Sequence, residues 1–140
     1  MARNIYVEYD DVFIHPGFSD IMSRSEVDTS VTLSSKDSDH SFTLKVPVVA
    51  ANMDTVTEGE MAKALAEAGA CGAIHRFLPI ADNVLSYVQV ASNSGLNCFV
   101  SIGTSRDWQE RAMHLHKAGA RFFVVDIAHG HTQMMKNTVE

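Results

Sequence analysis

The sequence predicts an α/β protein built on parallel strands, and three observations predict it. Short apolar runs alternate with helix-periodic segments after Lys45. Two of those helical segments end on the same turn, Ala66-Glu67-Ala68-Gly69-Ala70 and His116-Lys117-Ala118-Gly119-Ala120, each just before the next apolar run. Each run also stops at polar residues that a strand does not need for its own stability. A strand covered on both faces reads as a continuous apolar run, and single-helix crossovers join parallel neighbours. In such sheets ligands sit where the chain leaves a strand's carboxyl end.

Residues 1–45 differ from the rest. Tyr9-Asp10-Asp11-Val12-Phe13-Ile14 is a short amphipathic or extended stretch, closed by the turn signal Pro16-Gly17. Val31-Thr32-Leu33 and Phe42-Thr43-Leu44 alternate as the arms of a hairpin around the polar stretch 34–41.

From Val46 the pattern is regular. A strand is expected over 46–51, ending at Asn52-Met53-Asp54-Thr55. Thr57 with Glu60 three residues later reads as a capping box. Met61, Leu65 and Ala68 then give a helix one apolar face, and Gly69 sits where a left-handed residue would stop it. Next come a short strand over 71–74 and a helix from Pro79 to about Ser94, with Val84, Tyr87, Val88 and Ala91 on one face. A strand over 98–102 follows. A helix then starts near Asp107, with Trp108, Ala112 and Leu115 in register, and stops at Gly119. Residues 121–126 form a fourth strand, and Thr132 opens a last helix. Four such units make a parallel sheet, either open or half of an eightfold barrel. A half barrel standing alone leaves two strand edges unpaired, which is a liability.

The chain of 140 residues is about one domain long. Hydrophobic content of 46 % and charged content of 20 % are globular values. A formal net charge of −6 excludes nucleic acid and anionic membrane as partners, because no basic stripe is available to neutralise phosphates. Small phosphorylated ligands need only a few Arg or Lys residues and stay open. Cys71 and Cys98 lie in apolar stretches and read as buried, reduced thiols of a cytoplasmic protein. The start Met1-Ala2-Arg3-Asn4 lacks the apolar core of a signal peptide. No apolar run approaches the ~20 residues that a membrane helix needs.

The four strand ends carry Asn52-Met53-Asp54, His75-Arg76, Gly103-Thr104-Ser105, and Asp126 with His129-Gly130-His131. If the strands are neighbours, these converge on one rim, the usual place for a site. His129 and His131 with Asp126, His75 and Asp54 raise a metal-dependent hydrolase as one reading. Polar loop donors are the plainer reading of the histidines, and no metal is expected. His114 and His116 lie two apart on a helix, share no face and belong to the surface. Gly103-Thr104-Ser105 is too short for a phosphate loop.

Five motifs occur in order and at fitting intervals: Tyr9-Asp10-Asp11-Val12, Ser23-Arg24-Ser25-Glu26-Val27-Asp28, the segment from Val46 to Met53, Ile74-His75-Arg76, and the segment from Asp126 to His131. Together they resemble the amino-terminal half of the IMP dehydrogenase / GMP reductase family over nearly the whole chain. Arg76 runs through one helix straight to Cys98, without the regulatory insertion usual in IMP dehydrogenases. Ser23-Arg24-Ser25-Glu26, His75-Arg76-Phe77 with Pro79, and the Asp126 segment resemble the bacterial GMP reductase branch. The stretch from Asn52 to Glu58 suits both branches.

The resemblance implies the first four βα units of a (βα)8 TIM barrel. Residues 1–45 are then an amino-terminal extension with a β-hairpin, and residues 46–140 the first half of the barrel. It implies an oxidoreductase that uses NADPH to convert GMP to IMP and ammonia through a covalent cysteine intermediate. The alternatives are an IMP dehydrogenase without the regulatory insertion and a non-catalytic half-barrel interaction module. By the same resemblance, Ala51, Asn52 and Met53 line the purine pocket, and Asp126, Ile127 and Ala128 border the nicotinamide. Ser23, Arg24 and Arg76 reach a neighbouring subunit's cofactor, which implies a homo-oligomer, tetrameric in the family. The family's nucleophile lies in a Gly-rich loop after the sixth strand, a context that neither Cys71 nor Cys98 has. No catalytic residue is therefore expected within these 140 residues, and the chain alone is expected to be inactive. Any monovalent cation would be bound by the other half.

Overall fold

The computed structural model describes residues 7–34, 39–93 and 95–140. The reading of the amino terminus at 1–4, the middle of the polar hairpin loop at 35–38 and the expected helix end at Ser94 lie outside them.

Strands β1 (Val31–Ser34) and β2 (Ser41–Leu44) form the antiparallel hairpin, with Val31 opposite Leu44 and Leu33 opposite Phe42. Four parallel strands follow, β3 (Val49–Ala50), β4 (Cys71–Ile74), β5 (Phe99–Ile102) and β6 (Phe123–Val125), lying side by side in chain order. Helices α1 (Gly59–Glu67), α2 (Ile80–Ala91) and α3 (Trp108–Lys117) are the crossovers, and α4 (Gln133–Val139) follows β6. This is the order of successive strand–helix units in a (βα)8 barrel. Among the described residues, no helix is long and apolar enough to cross a membrane.

The repeated Ala-Gly-Ala turn does the same job twice. Gly69 and Gly119 take φ of +85° and +110°, the left-handed conformation that ends a helix at low cost only in glycine. Ala70 N–H then donates to the Leu65 carbonyl at 2.9 Å, and Ala120 N–H to the Leu115 carbonyl at 3.0 Å. Each bond caps its helix and delivers the chain into the next strand. Ile74, Val100 and Ile102 from the sheet meet Ala62, Tyr87, Val90 and Leu115 from the helices in one core.

The hairpin closes the amino-terminal end of that sheet. Phe42 sits edge-on to Phe99, at the start of β5, and to Phe122, just before β6, with ring centroids 5.8 and 4.5 Å apart. Leu44 is buried in the same core. The chain before the hairpin contrasts with this: Phe13 is 95 % exposed and Phe18 is 98 % exposed.

Several expectations change in detail. The strand expected over 46–51 is regular only at Val49 and Ala50; Val46 N–H still donates to the Gly69 carbonyl at 2.9 Å, but Pro47 has no N–H to continue the ladder. The capping box does not form. Helix α1 begins at Gly59 with Glu58 at its cap and no side-chain cap bond, because the Thr57 hydroxyl is used elsewhere. The inward face of α1 is Gly59, Ala62 and Ala66, whereas Met61 and Ala68 are exposed. A small-residue face lets the helix lie close to the sheet. On α2 the inward residues are Asn83, Tyr87 and Val90 with Val84 half-buried, while Val88 and Ala91 face solvent. The fourth strand is shorter than 121–126. Thr132 does cap α4, its hydroxyl accepting from Met135 N–H at 3.2 Å.

Candidate functional site

The carboxyl ends of the four parallel strands are tied to one another by side-chain and backbone bonds. After β3 the chain folds back on itself: Val56 and Thr57 N–H both donate to the Met53 carbonyl at 3.0 Å. Thr57 is fully buried, and its hydroxyl donates to the Ala51 carbonyl at 2.7 Å. Its own carbonyl accepts from His75 N–H at 3.4 Å, linking the end of β3 to the end of β4. Ala51 and Met53 are exposed and Asn52 is half-buried, so the expected purine-facing residues present an open edge on a fixed turn.

At the end of β4, His75 is buried with both ring nitrogens engaged. Nδ1 accepts from Phe77 N–H at 3.1 Å, which leaves the proton on Nε2 to donate to Glu58 Oε1 at 3.2 Å. The next residue, Arg76, turns across the sheet. Its Nε donates to Asp126 Oδ2 at 2.8 Å, a short charge-assisted bond from the end of β4 to the end of β6. The guanidinium also lies 4.7 Å from the Phe77 ring centroid, a cation–π contact. Between the two strands the side chain passes over Gly103, where a Cβ would already touch Nη1 at 3.4 Å. Asp126 N–H donates to the Ile102 carbonyl at 2.8 Å, so the carboxylate stands on a continuation of the ladder.

Arg76 and Asp126 are each about one-third exposed. Among the described residues the Nη groups of Arg76 and the second oxygen of Asp126 have no protein partner, leaving a donor fork beside an acceptor. That pairing suits ribose hydroxyls or a carboxamide, groups that both donate and accept. On β5, two residues before Gly103, the fully buried Ser101 hydroxyl has no hydrogen-bond partner among the described residues.

Ile127 is half-buried and Ala128 exposed beyond Asp126. Ser23 and Arg24 lie on an exposed turn, where the Ser23 hydroxyl accepts from Ser25 N–H at 3.3 Å. No hydrogen bond or ion pair among the described residues ties their side chains to the rim. The His129 and His131 rings are exposed with centroids 6.5 Å apart. No group of three potential metal ligands gathers among the described residues.

Both cysteines are buried free thiols, as their apolar surroundings predict. Burial pushes the Cys98 thiol up to about 12, with Cys71 adding to the shift. Burial raises Cys71 as well, against opposing backbone hydrogen bonds. A nucleophilic cysteine needs the reverse.

Sequence reasoning read Thr57 only as a helix cap and passed over Asn83 and Arg111. Arg111 is 5 % exposed on α3, and its only sequence signal is a charged residue within the apolar stripe of Trp108, Ala112 and Leu115. Asn83 interrupts the stripe of α2 in the same way.

Comparison with known proteins gives the family and the fold. Residues 6–140 match the IMP dehydrogenase / GMP reductase domain. A GMP reductase of Bacillus cereus is 33 % identical over 142 residues, covering 100 % of this chain and 40 % of the relative. An IMP dehydrogenase of Nitrosopumilus maritimus is 46 % identical over 82 residues, covering 59 % of this chain and 16 % of the relative. The crystal structure of an IMP dehydrogenase from Legionella pneumophila superposes with a TM-score of 0.76 at 36 % identity, over 93 % of this chain and 38 % of that one. The chain thus spans about two fifths of the length of the GMP reductase it matches. It belongs to the IMP dehydrogenase / GMP reductase family of oxidoreductases.

Proposed function

We propose that the chain forms the first half of a GMP reductase, an enzyme that uses NADPH to convert GMP to IMP and ammonia. The observation that carries this reading is the direct passage from β4 through the single helix α2 to β5, with no inserted module between them. The match to GMP reductases over the whole chain supports it. An IMP dehydrogenase without the insertion is the second reading, favoured by the higher identity over 82 residues to the Nitrosopumilus enzyme.

Residues 1–45 serve as an extension with a hairpin that plugs the bottom, and residues 46–140 as barrel. Ala51, Asn52 and Met53 line the purine edge on the turn that Thr57 holds. Asp126, Ile127 and Ala128 border the nicotinamide, with Arg76 fixing the Asp126 carboxylate. The cofactor supplies the hydride when bound. The donor fork and spare carboxylate oxygen fit its polar groups, and Gly103 leaves room for the guanidinium that carries the fork. Ser23, Arg24 and the Nη groups of Arg76 reach a neighbouring subunit's cofactor in a homotetramer. The exposed Tyr9, Phe13, Ile14 and Phe18 support such association, because apolar groups of this size seldom stay in water without a partner. The reading assigns the nucleophile to neither Cys71 nor Cys98, whose raised thiols lack thiolate character. The net charge and the reduced cysteines suit a cytoplasmic enzyme.

The test is a steady-state assay of the complete barrel. Consumption of NADPH that depends on GMP and releases ammonia is expected. Reduction of NAD with IMP instead selects the second reading, and turnover in neither direction sinks both.

A further inference from the structure

We propose that Arg111 and Asn83 are positioning residues for the Arg76–Asp126 bridge, acting from behind the sheet through the main chain of His75. The inference rests on the reading of that bridge as part of the ligand mouth. The buried Arg111 on α3 divides its guanidinium between two partners. Nη2 donates to Asp107 Oδ2 at 2.7 Å and Nη1 to Asn83 Oδ1 at 3.0 Å. Asn83, fully buried on α2, in turn donates from Nδ2 to the His75 carbonyl at 3.2 Å. The orientation of the Asn83 amide has one solution: Arg111 only donates and a carbonyl only accepts, so oxygen must face the arginine and nitrogen the strand.

The His75 carbonyl belongs to the peptide that leads into Arg76. On the opposite side of His75, its N–H is held by the Thr57 carbonyl and its ring by Glu58. The peptide at the end of β4 is therefore gripped from α2 and from the β3–α1 turn at once. Arg76 leaves this fixed point to cross Gly103 and reach Asp126. A buried arginine at this depth is costly unless each donor is used. The contact with Asn83 uses a second of those donors and carries the network beyond the Asp107 pair. The continuation through Asn83 to the main chain beside Arg76 gives the network its direction.

The Arg76 Nε–H proton, observed by nuclear magnetic resonance in the intact chain and identified by its loss in Arg76→Lys, tests this without any nucleotide. Bridged to Asp126, it exchanges slowly with water, and Asp126→Asn sets the fast limit. Asn83→Asp keeps a partner for Arg111 but turns an acceptor toward the His75 carbonyl. The expected result is exchange at Arg76 up to about tenfold faster in Asn83→Asp and in Arg111→Met, the upper scale of one lost neutral hydrogen bond. The amides of Val100 and Ile102 should keep their protection. An unchanged Arg76 signal in Asn83→Asp overturns the proposal, as does a parallel fall in Val100 and Ile102 protection, which marks general loosening. If Arg111→Met does not fold, Asn83→Asp and Arg111→Lys decide alone. Failure of the complete barrel to bind NADPH or GMP counts against the functional reading and leaves this result standing.

Discussion

The two ends of the parallel sheet are closed by opposite chemistry. At the amino-terminal end, three aromatic rings, Phe42, Phe99 and Phe122, meet edge to face and shut the sheet against the hairpin. At the carboxyl end, a charged pair runs from the end of β4 to the end of β6 with a single short bond and leaves polar atoms unspent. Apolar closure contributes stability because area leaves water. An ion pair exposed by about a third contributes little of it, since solvent already serves both charges. What such a pair provides is fixed geometry at a place where a ligand can arrive. The difference between the ends is the division between stability and function that strand–helix barrels follow.

The largest effect is expected at the closed end. Phe42→Ala should cost about 3 kcal/mol in urea unfolding and leave the Arg76 Nε–H resonance in place. If that resonance changes with the bottom of the sheet, the two ends are not independent and the comparison breaks.

Next in size is the alkaline limb. The Cys98 thiol is raised by burial from 9.0 to about 12 in the folded chain, so the unfolded thiol ionises first. Its contribution is fully present below pH 9 and is lost as pH rises from there toward 12. At pH 10 the loss should be about 1.4 kcal/mol, one unit above the unfolded value. Cys98→Ala should flatten that limb in a pH series of unfolding curves, at the separate cost of a small cavity.

Arg76→Ala should move in the other direction from Phe42→Ala. Its stability cost should stay under about 1 kcal/mol, while affinity of the complete barrel for the proposed nucleotide ligand should fall about tenfold or more. A large stability loss with unchanged binding would reverse the roles given to the two ends.

The smallest effect belongs to Asp107. Its carboxyl is held below the ordinary 3.8, mainly by the hydrogen bond from Arg111. A depressed folded value contributes stability above the unfolded value and loses it as pH falls through the folded one. The acid limb below about pH 4 should therefore be slightly shallower in Asp107→Asn, read from thermal unfolding at a series of pH values.

The strand-and-helix order was legible because it rests on local rules. The Ala-Gly-Ala turns, the Thr132 cap and the Trp108–Ala112–Leu115 face each need only a few consecutive residues, and each appears in the structure. The rim was legible as four polar strand ends. Its wiring was not. Thr57 reads as a helix cap from its neighbours, yet it bonds to Ala51 and His75 because the turn after β3 brings the Ala51 carbonyl to its hydroxyl. Met61 and Ala68 fit an apolar stripe, but close approach to the sheet selects the small side chains of Gly59, Ala62 and Ala66 instead.

By itself the sequence determined the alternation of strand and helix, the burial of both thiols and the gathering of polar residues at one edge, because period, turn chemistry and composition act over short distances. Only the tertiary structure decided which of those residues touch. Arg76 and Asp126 are fifty positions apart, and Arg111 and Asn83 sit on different helices. Such pairs meet only where strands lie in register and helices pack behind them, since the bond depends on where two backbones are placed and not on what precedes either residue in the chain.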